Sequence, residues 1–310
     1  MRHQDISDEL IERFLDRLMR IKGDDHGTYI QYSMCLKQYD QWLHEQNLSA
    51  KEVEPLDIED FILSLKNDNY SANTIRTRYT AVQSLYSSAK DKFQVIDHHP
   101  CDGITLSDLN ISSKRDDDTL HYVTEDEKDK MIDALPERHF VSNKLIIEIL
   151  WQTGMRVSEL IDIEVDNVDQ RNNRIKIYRK KTSEWDYVHY QNSLNRLLDI
   201  WLETERPLRA NSEYLFPGQS SDQIGYSVVR SVILDAAQEF NEVAQETQDG
   251  NKRMRIRPHS FRHGHAVHAL KSGVNVRAVQ EQLGHASLER TMQYMRLVED
   301  DVAEAYKKFS

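Results

Sequence analysis

His259-Ser260-Phe261-Arg262, followed by Leu283-Gly284-His285 and then by Tyr294, is the stretch on which the reading of this chain turns. The setting is strongly basic: from Asn251 to Gln280 there is no Asp or Glu, while Lys252, Arg253, Arg255, Arg257, Arg262, Lys271 and Arg277 supply positive charge. The chain as a whole carries a formal net charge of -12. An acidic protein that clears carboxylates from one segment and fills it with Arg and His is built to hold an anion there. His259 and Arg262 stand three residues apart, so on a helix they project from one face toward the same anion. A DNA phosphate is the anion expected.

Upstream, Thr153-Gly154-Met155-Arg156-Val157-Ser158-Glu159-Leu160 places another arginine at a turn entering a helix. Arginine suits phosphate because its planar fork donates parallel hydrogen bonds and keeps its proton. Glu159 is expected to orient Arg156 or brace the fold. Alternation in Arg174-Ile175-Lys176-Ile177-Tyr178, and again from Trp185 to Tyr190, reads as two strands joined by a turn that carries Lys180 and Lys181.

Taken together, the order Arg156, a hairpin lysine, His259-x-x-Arg262, His285 and Tyr294, with nine residues from His285 to Tyr294, resembles the tyrosine recombinase (phage integrase) family. The string LGHASLERTMQYMRL is similar to the C-terminal signature of that family. The match is close in the catalytic part and looser in the N-terminal part. The resemblance implies a mainly α fold with a small β-sheet: an N-terminal four-helix core-binding domain and a mixed α+β catalytic domain. It implies site-specific recombination of double-stranded DNA, by integration, excision or dimer resolution, in a C-shaped clamp around the duplex and as a tetramer on two DNA sites. Tyr294 would be the nucleophile and form a 3′-phosphotyrosyl bond, with Arg156 and Arg262 clamping the phosphate. His259 would assist proton movement at the tyrosine, and His285 would hydrogen-bond the phosphate. A lysine at the hairpin turn would protonate the leaving 5′ oxygen. Because the covalent bond conserves the energy of the phosphodiester, no ATP, metal or other cofactor is expected. Counting back from the second strand favours Lys181 and counting forward from Arg156 is compatible with Lys180; Lys181 is preferred, since Lys-Thr-Ser also resembles family hairpins. The chain departs from the family pattern at His189, where a proline is usual. A non-catalytic DNA-binding protein of the same fold and a type IB topoisomerase are the alternatives.

Length allows two domains, each burying its own core. Residues 1–100 read as the helical DNA-binding domain, 101–120 as a polar linker and 121–310 as the catalytic domain. In the first, Ser7 is expected to cap a helix running to Lys22 and stopped by Gly23; a stripe from Tyr29 to Leu43 forms a second. A third follows Pro55 and a fourth follows Ser71. Thr124 caps a further helix, and the apolar run from Leu145 to Thr153 reads as a buried helix that delivers Gly154 and Arg156 at its end.

The cysteines, Cys35 and Cys101, are too few for a disulfide framework, and no apolar run is long enough to span a bilayer. A soluble, cytoplasmic protein without membrane contact is expected. His263, His265 and His268 are assigned to packing, exposure or DNA backbone contact rather than to catalysis, and they lack the neighbouring cysteines or carboxylates of a zinc site.

Overall fold

In the computed structural model the chain divides into two compact units, residues 1–118 and 119–310. Residues 6–23, 27–111, 120–180, 182–208, 212–246, 252–285, 287–289 and 291–298 are described, with 244–246 and 252–253 described as backbone only. The described residues are mainly helical, with a small antiparallel sheet in the second unit.

The first unit is built on α1 (Glu9–Lys22), α2 (Gly27–Gln46), α3 (Pro55–Asn67) and α4 (Ala72–Ser88). Gly23 ends α1 as its spacing predicts, but the N-cap is Asp8 rather than Ser7: the Asp8 carboxylate accepts from the Leu10 and Ile11 amides. Ser7 is taken instead by buried Asp40, whose carboxylate accepts from the Ser7 and Asp8 amides at 2.9 and 2.8 Å. A carboxylate out of water needs such donors, and the exposed amides at a helix start supply them. Pro55 opens α3 and the Ser71 hydroxyl accepts from the Thr74 amide to open α4, both as the sequence implies. Leu10, Leu36, Ile58, Phe61, Val82 and Leu85 fill the interior. Within it the Tyr39 and Tyr86 hydroxyls satisfy one another at 2.7 Å. Cys101 and Ile111 are buried in this same core, with Ile104, Leu106 and Leu109 packed against it, so the apolar residues of 101–111 cover the helices rather than run free.

The second unit is organised around α6 (Phe140–Thr153), which buries Leu145, Ile146, Ile147, Ile149 and Leu150; a helix buried on so many sides belongs in the middle of a domain. Before it, Thr124 forms a reciprocal cap with Glu127 at the start of α5 (Glu125–Asp133), and after it comes the short α7 (Val157–Ile161). The strands β1 (Val168–Asp169), β2 (Arg174–Arg179) and β3 (Glu184–His189) pair antiparallel in that order. In the β2–β3 register Ile175 faces Val188, Ile177 faces Asp186 and Arg179 faces Glu184. One hairpin face therefore joins the core, while the other carries Arg174, Lys176, Tyr178, Trp185 and Tyr187. Helices α8 (Ser193–Ile200) and α9 (Tyr226–Ala236) and a second ribbon, β4 (Val243–Glu246) with β5 (Lys252–Met254), lead to α10 (Pro258–Lys271) and α11 (Val276–Leu283). Ala266, Val267 and Leu270 of α10, Val279 and Leu283 of α11 and Tyr294 of the helical residues 291–298 form a separate small core. None of the helices among the described residues is long and apolar enough to cross a membrane.

The chain leaves α6 through Gly154, in the left-handed region at φ 63°. A Cβ at this position would lie 2.7 Å from Leu283 Cδ2 and 2.8 Å from His265 Cδ2. Gly154→Ala therefore combines backbone strain with overpacking and is expected to cost about 2–4 kcal/mol of stability. Urea unfolding of the variant checks this: an unchanged midpoint contradicts the tight approach.

Candidate active site

Arg262 lies on α10, one turn after Pro258 opens the helix, and is 2% exposed. Its guanidinium donates to the Gly154 carbonyl at 2.9 Å and to the Leu283 carbonyl at 2.5 Å. Burial, followed by the nearby Arg156 charge, lowers its pKa to about 10, while Glu159 and Tyr294 act in the other direction. The guanidinium remains charged at neutral pH. Arg156 precedes α7; its amide donates to Glu159 Oε2 and its Nη1 to Glu159 Oε1, both at 2.7 Å. Glu159 thus orients Arg156 as the sequence implies, closing the first turn of α7 from both sides.

A third arginine joins them. Arg179, at the end of β2, is 4% exposed and donates to the Leu283 carbonyl at 3.0 Å, to the Gln282 carbonyl at 2.9 Å and to Asp186 Oδ2 at 2.6 Å. Its Nη1 is also 3.7 Å from Glu159 Oε1. Alternation continued past Ile175 and Ile177 puts Arg179 on their inward face, a signal that stops short of naming what the guanidinium meets there. The carbonyls it meets lie about a hundred residues away, beyond the reach of any local pattern.

Tyr294 is 4% exposed, its ring packed into the small core of α10 and α11. Its hydroxyl is 2.8 Å from His263 Nδ1. The His285 ring lies nearly parallel to the tyrosine, 6.2 Å away at 14°, and His285 Nδ1 is 3.0 Å from the Thr291 hydroxyl. His259, exposed on the first turn of α10, meets the His263 ring edge-on at 4.6 Å. The expected Arg156, His259, Arg262, His285 and Tyr294 therefore come together around the start of α10. His263, assigned from sequence to packing or backbone contact, lies among them. The signal available in sequence was its place four residues after His259 and one after Arg262, on the same helix side.

The expected Lys181 lies outside the described residues. Its neighbour Lys180 stands at the hairpin turn, 65% exposed, with its ammonium 2.8 Å from Asp162 Oδ2. At His189, Gln282 explains the missing proline: the His189 amide donates to Gln282 Oε1 at 2.9 Å, and Gln282 Nε2 donates to the His189 carbonyl at 2.8 Å. Proline has no N–H to give.

His265 and His268 lie further along α10. They line a cavity of about 490 Å³ with Trp151, Tyr187 and Tyr190, and none of the expected site residues borders it. His265 Nδ1 meets the Trp151 carbonyl at 3.0 Å and the His268 ring lies tilted against the Trp151 ring, 5.2 Å away at 45°, so their assignment to packing agrees with the geometry. Among the described residues no group of three or more His, Cys, Asp or Glu side chains is placed to hold a metal ion.

Residues 121–300 match the phage integrase family, and residues 11–92 match the N-terminal SAM-like domain of phage integrases. Tyrosine recombinase XerC of Roseiflexus castenholzii is 27% identical over 300 residues, covering 93% of this chain and 89% of that protein. Tyrosine recombinase XerD of Chlorobaculum tepidum is 26% identical over 312 residues, covering 96% and 95%. Among solved structures, the XerH site-specific recombinase bound to palindromic difH substrate in a post-cleavage complex superposes with a TM-score of 0.74 at 18% identity, over 98% of this chain and 92% of that one. A lambda integrase dimer bound to a COC' core site gives 0.65 at 17% identity, over 91% and 94%.

Two half-buried histidines of α10 make stability depend on pH. Burial first, then the charges of His259, Arg262 and His285, lower His263 from 6.5 to about 3. Burial lowers His265 to about 4 against the opposing effect of the Trp151 carbonyl. Between these values and 6.5 the unfolded chain binds the extra protons, so their contribution is whole above about 6.5 and is lost as pH falls toward the folded values. Urea midpoints are expected to drop from pH 7 to pH 5, and less so in His265→Gln. Equal slopes in the two proteins would contradict the depressed value of His265.

Proposed function

Because the chain belongs to the phage integrase family, we propose that it is a site-specific recombinase that breaks and rejoins double-stranded DNA through a 3′-phosphotyrosyl bond to Tyr294. One observation carries the reading: a tyrosine whose ring packs as core has its hydroxyl turned to His263, on the same helix that carries Arg262. A core tyrosine needs only some hydrogen-bond partner; a nucleophile needs a phosphate clamp beside it.

In this reading the Tyr294 oxygen attacks phosphorus, the P–O5′ bond breaks, and the 5′ oxygen leaves with a proton. Arg156 and Arg262 stabilise the charge that gathers on the non-bridging oxygens. Backbone carbonyls take two of the five N–H donors that a guanidinium carries, so Arg262 is held in place with donors to spare for a phosphate. His285 hydrogen-bonds the phosphate and His259, the exposed member, assists proton movement at the tyrosine. Arg262 and Tyr294 are both covered, so engagement of a duplex requires the side chains around them to open. Grip on the duplex comes chiefly from phosphate neutralisation and falls steeply with salt.

Lys181 is the proposed acid for the leaving oxygen, on the likeness of its Lys-Thr-Ser turn to family hairpins.

Tyr294→Phe is expected to bind duplex DNA and form no covalent adduct. Incubation with a nicked suicide duplex, followed by denaturing electrophoresis, reads this out. An undiminished shifted band from the variant removes Tyr294 from the role, and none from the wild-type protein favours a non-catalytic DNA-binding protein. For the lysine, a 5′-bridging phosphorothiolate substrate leaves as a thiolate that needs little protonation. Lys181→Ala is expected to be slow on ordinary DNA and largely rescued on the sulfur substrate, with Lys180→Ala near normal on both. Rescue confined to Lys180→Ala would move the role one residue upstream.

A further inference from the structure

A ring nitrogen within hydrogen-bond distance of the Tyr294 oxygen belongs to a residue outside the expected set. His263 Nδ1 lies 2.8 Å from that oxygen, with ring centroids 5.6 Å apart. His263 follows Arg262 directly and stands one helical turn after His259, so the segment that presents the clamp also presents this imidazole. With its proton on Nε2, the ring offers Nδ1 as an acceptor and the phenol is the donor.

Resting on the assignment of Tyr294 as nucleophile, we infer that His263 is a further catalytic residue, whose Nδ1 takes the phenolic proton as the Tyr294 oxygen attacks phosphorus. The bond formed is P–Oη and the bond broken is P–O5′. The phenolic proton moves to Nδ1, and the departing 5′ oxygen receives its own proton from the acid proposed above. On rejoining, the 5′ hydroxyl attacks phosphorus, the P–Oη bond breaks, and His263 returns its proton to the phenolate.

The charges around the ring suit this timing. His259 and Arg262 of α10 and His285 after α11 oppose a positive charge on His263, and burial opposes it more. The resting imidazole is therefore neutral with Nδ1 ready, and a weak base. A phosphate entering between the arginines brings negative charge beside it and raises its basicity where the proton must be taken. Acceptance is thereby coupled to the presence of substrate, and Tyr294 is not ionised beforehand.

The test is single-turnover cleavage of the nicked suicide duplex at saturating protein from pH 6 to pH 10, with wild type, His263→Ala and His263→Asn. Asn can hold the hydroxyl but cannot take up its proton. Both variants are expected to cleave about a hundred- to a thousand-fold more slowly at pH 7. Their rates should climb about tenfold per pH unit as hydroxide takes over removal of the phenolic proton, where the wild-type profile is flatter. Replacing Tyr294 with a fluorinated tyrosine of lower phenol pKa should restore most of the rate in the His263 variants. Should His263→Ala fail to fold, His263→Asn carries the same comparison. Cleavage within threefold of wild type at pH 7, a faster rate, or slow cleavage at every pH without rescue by the fluorinated residue would each overturn the inference. A covalent adduct from Tyr294→Phe would instead strike the assignment of the nucleophile, so the two failures are told apart.

Discussion

Two buried guanidinium groups meet at the end of one helix, and the arrangement of the second unit depends on that meeting. Arg179 from β2 and Arg262 from α10 both donate to the Leu283 carbonyl, and Arg179 also reaches the Gln282 carbonyl. The last carbonyls of a helix have no partner within it and carry its negative pole, so cations are well placed there. Hairpin, α10 and α11 are tied at one point, and His285 leaves from it. Gly284 follows at φ 62°, and a Cβ there would overlap the Arg179 guanidinium. The Leu-Gly-His string thus has a physical cause: an apolar anchor, a residue without a side chain where an arginine passes, and the histidine that next turns toward Tyr294.

Much of the fold could be read from local chemistry. Pro55, Ser71 and Thr124 start helices where their side chains imply, Gly23 and Gly154 end them, and the alternation of Ile175 and Ile177 marks the hairpin face that is buried. Such signals act over a few residues and survive folding. The misses share the opposite property. Asp8 displaces Ser7 as the first cap because Asp40, about thirty residues on, needs the Ser7 amide. The apolar residues of 101–111 have no helical spacing and announce no partner, yet they close the first core. For the site, residue types and spacing point to Arg156, His259 and Arg262, and the family resemblance adds His285 and Tyr294, whereas the contacts of His263 and Arg179 form only when distant elements pack.

The balance of charge follows the same division. The chain is acidic overall, yet Arg156, Arg179 and Arg262 gather around a single nearly buried carboxylate, Glu159, with Asp186 at the edge. Like charges at this spacing repel, and low polarity strengthens the repulsion. The cluster persists because each guanidinium is held by oxygens other than that of a phosphate: carbonyls for Arg262, carbonyls and Asp186 for Arg179, Glu159 for Arg156. The positive excess that remains is a standing preference for an anion, built without a basic protein surface.

The oxygens that hold Arg262 and most of those that hold Arg179 belong to the main chain. A carbonyl is present whatever residue stands at Gln282 or Leu283, so replacing either side chain leaves the acceptor where it was as long as the helix keeps its course. Arg179 and Arg262 are therefore insulated from drift in the residues that seat them. Their placement is exposed instead at the two glycines, where adding a single methyl group would push the anchors apart. A frame of this kind can let its surface, its charge and most of its core diverge widely while the spacing between its cations stays the same.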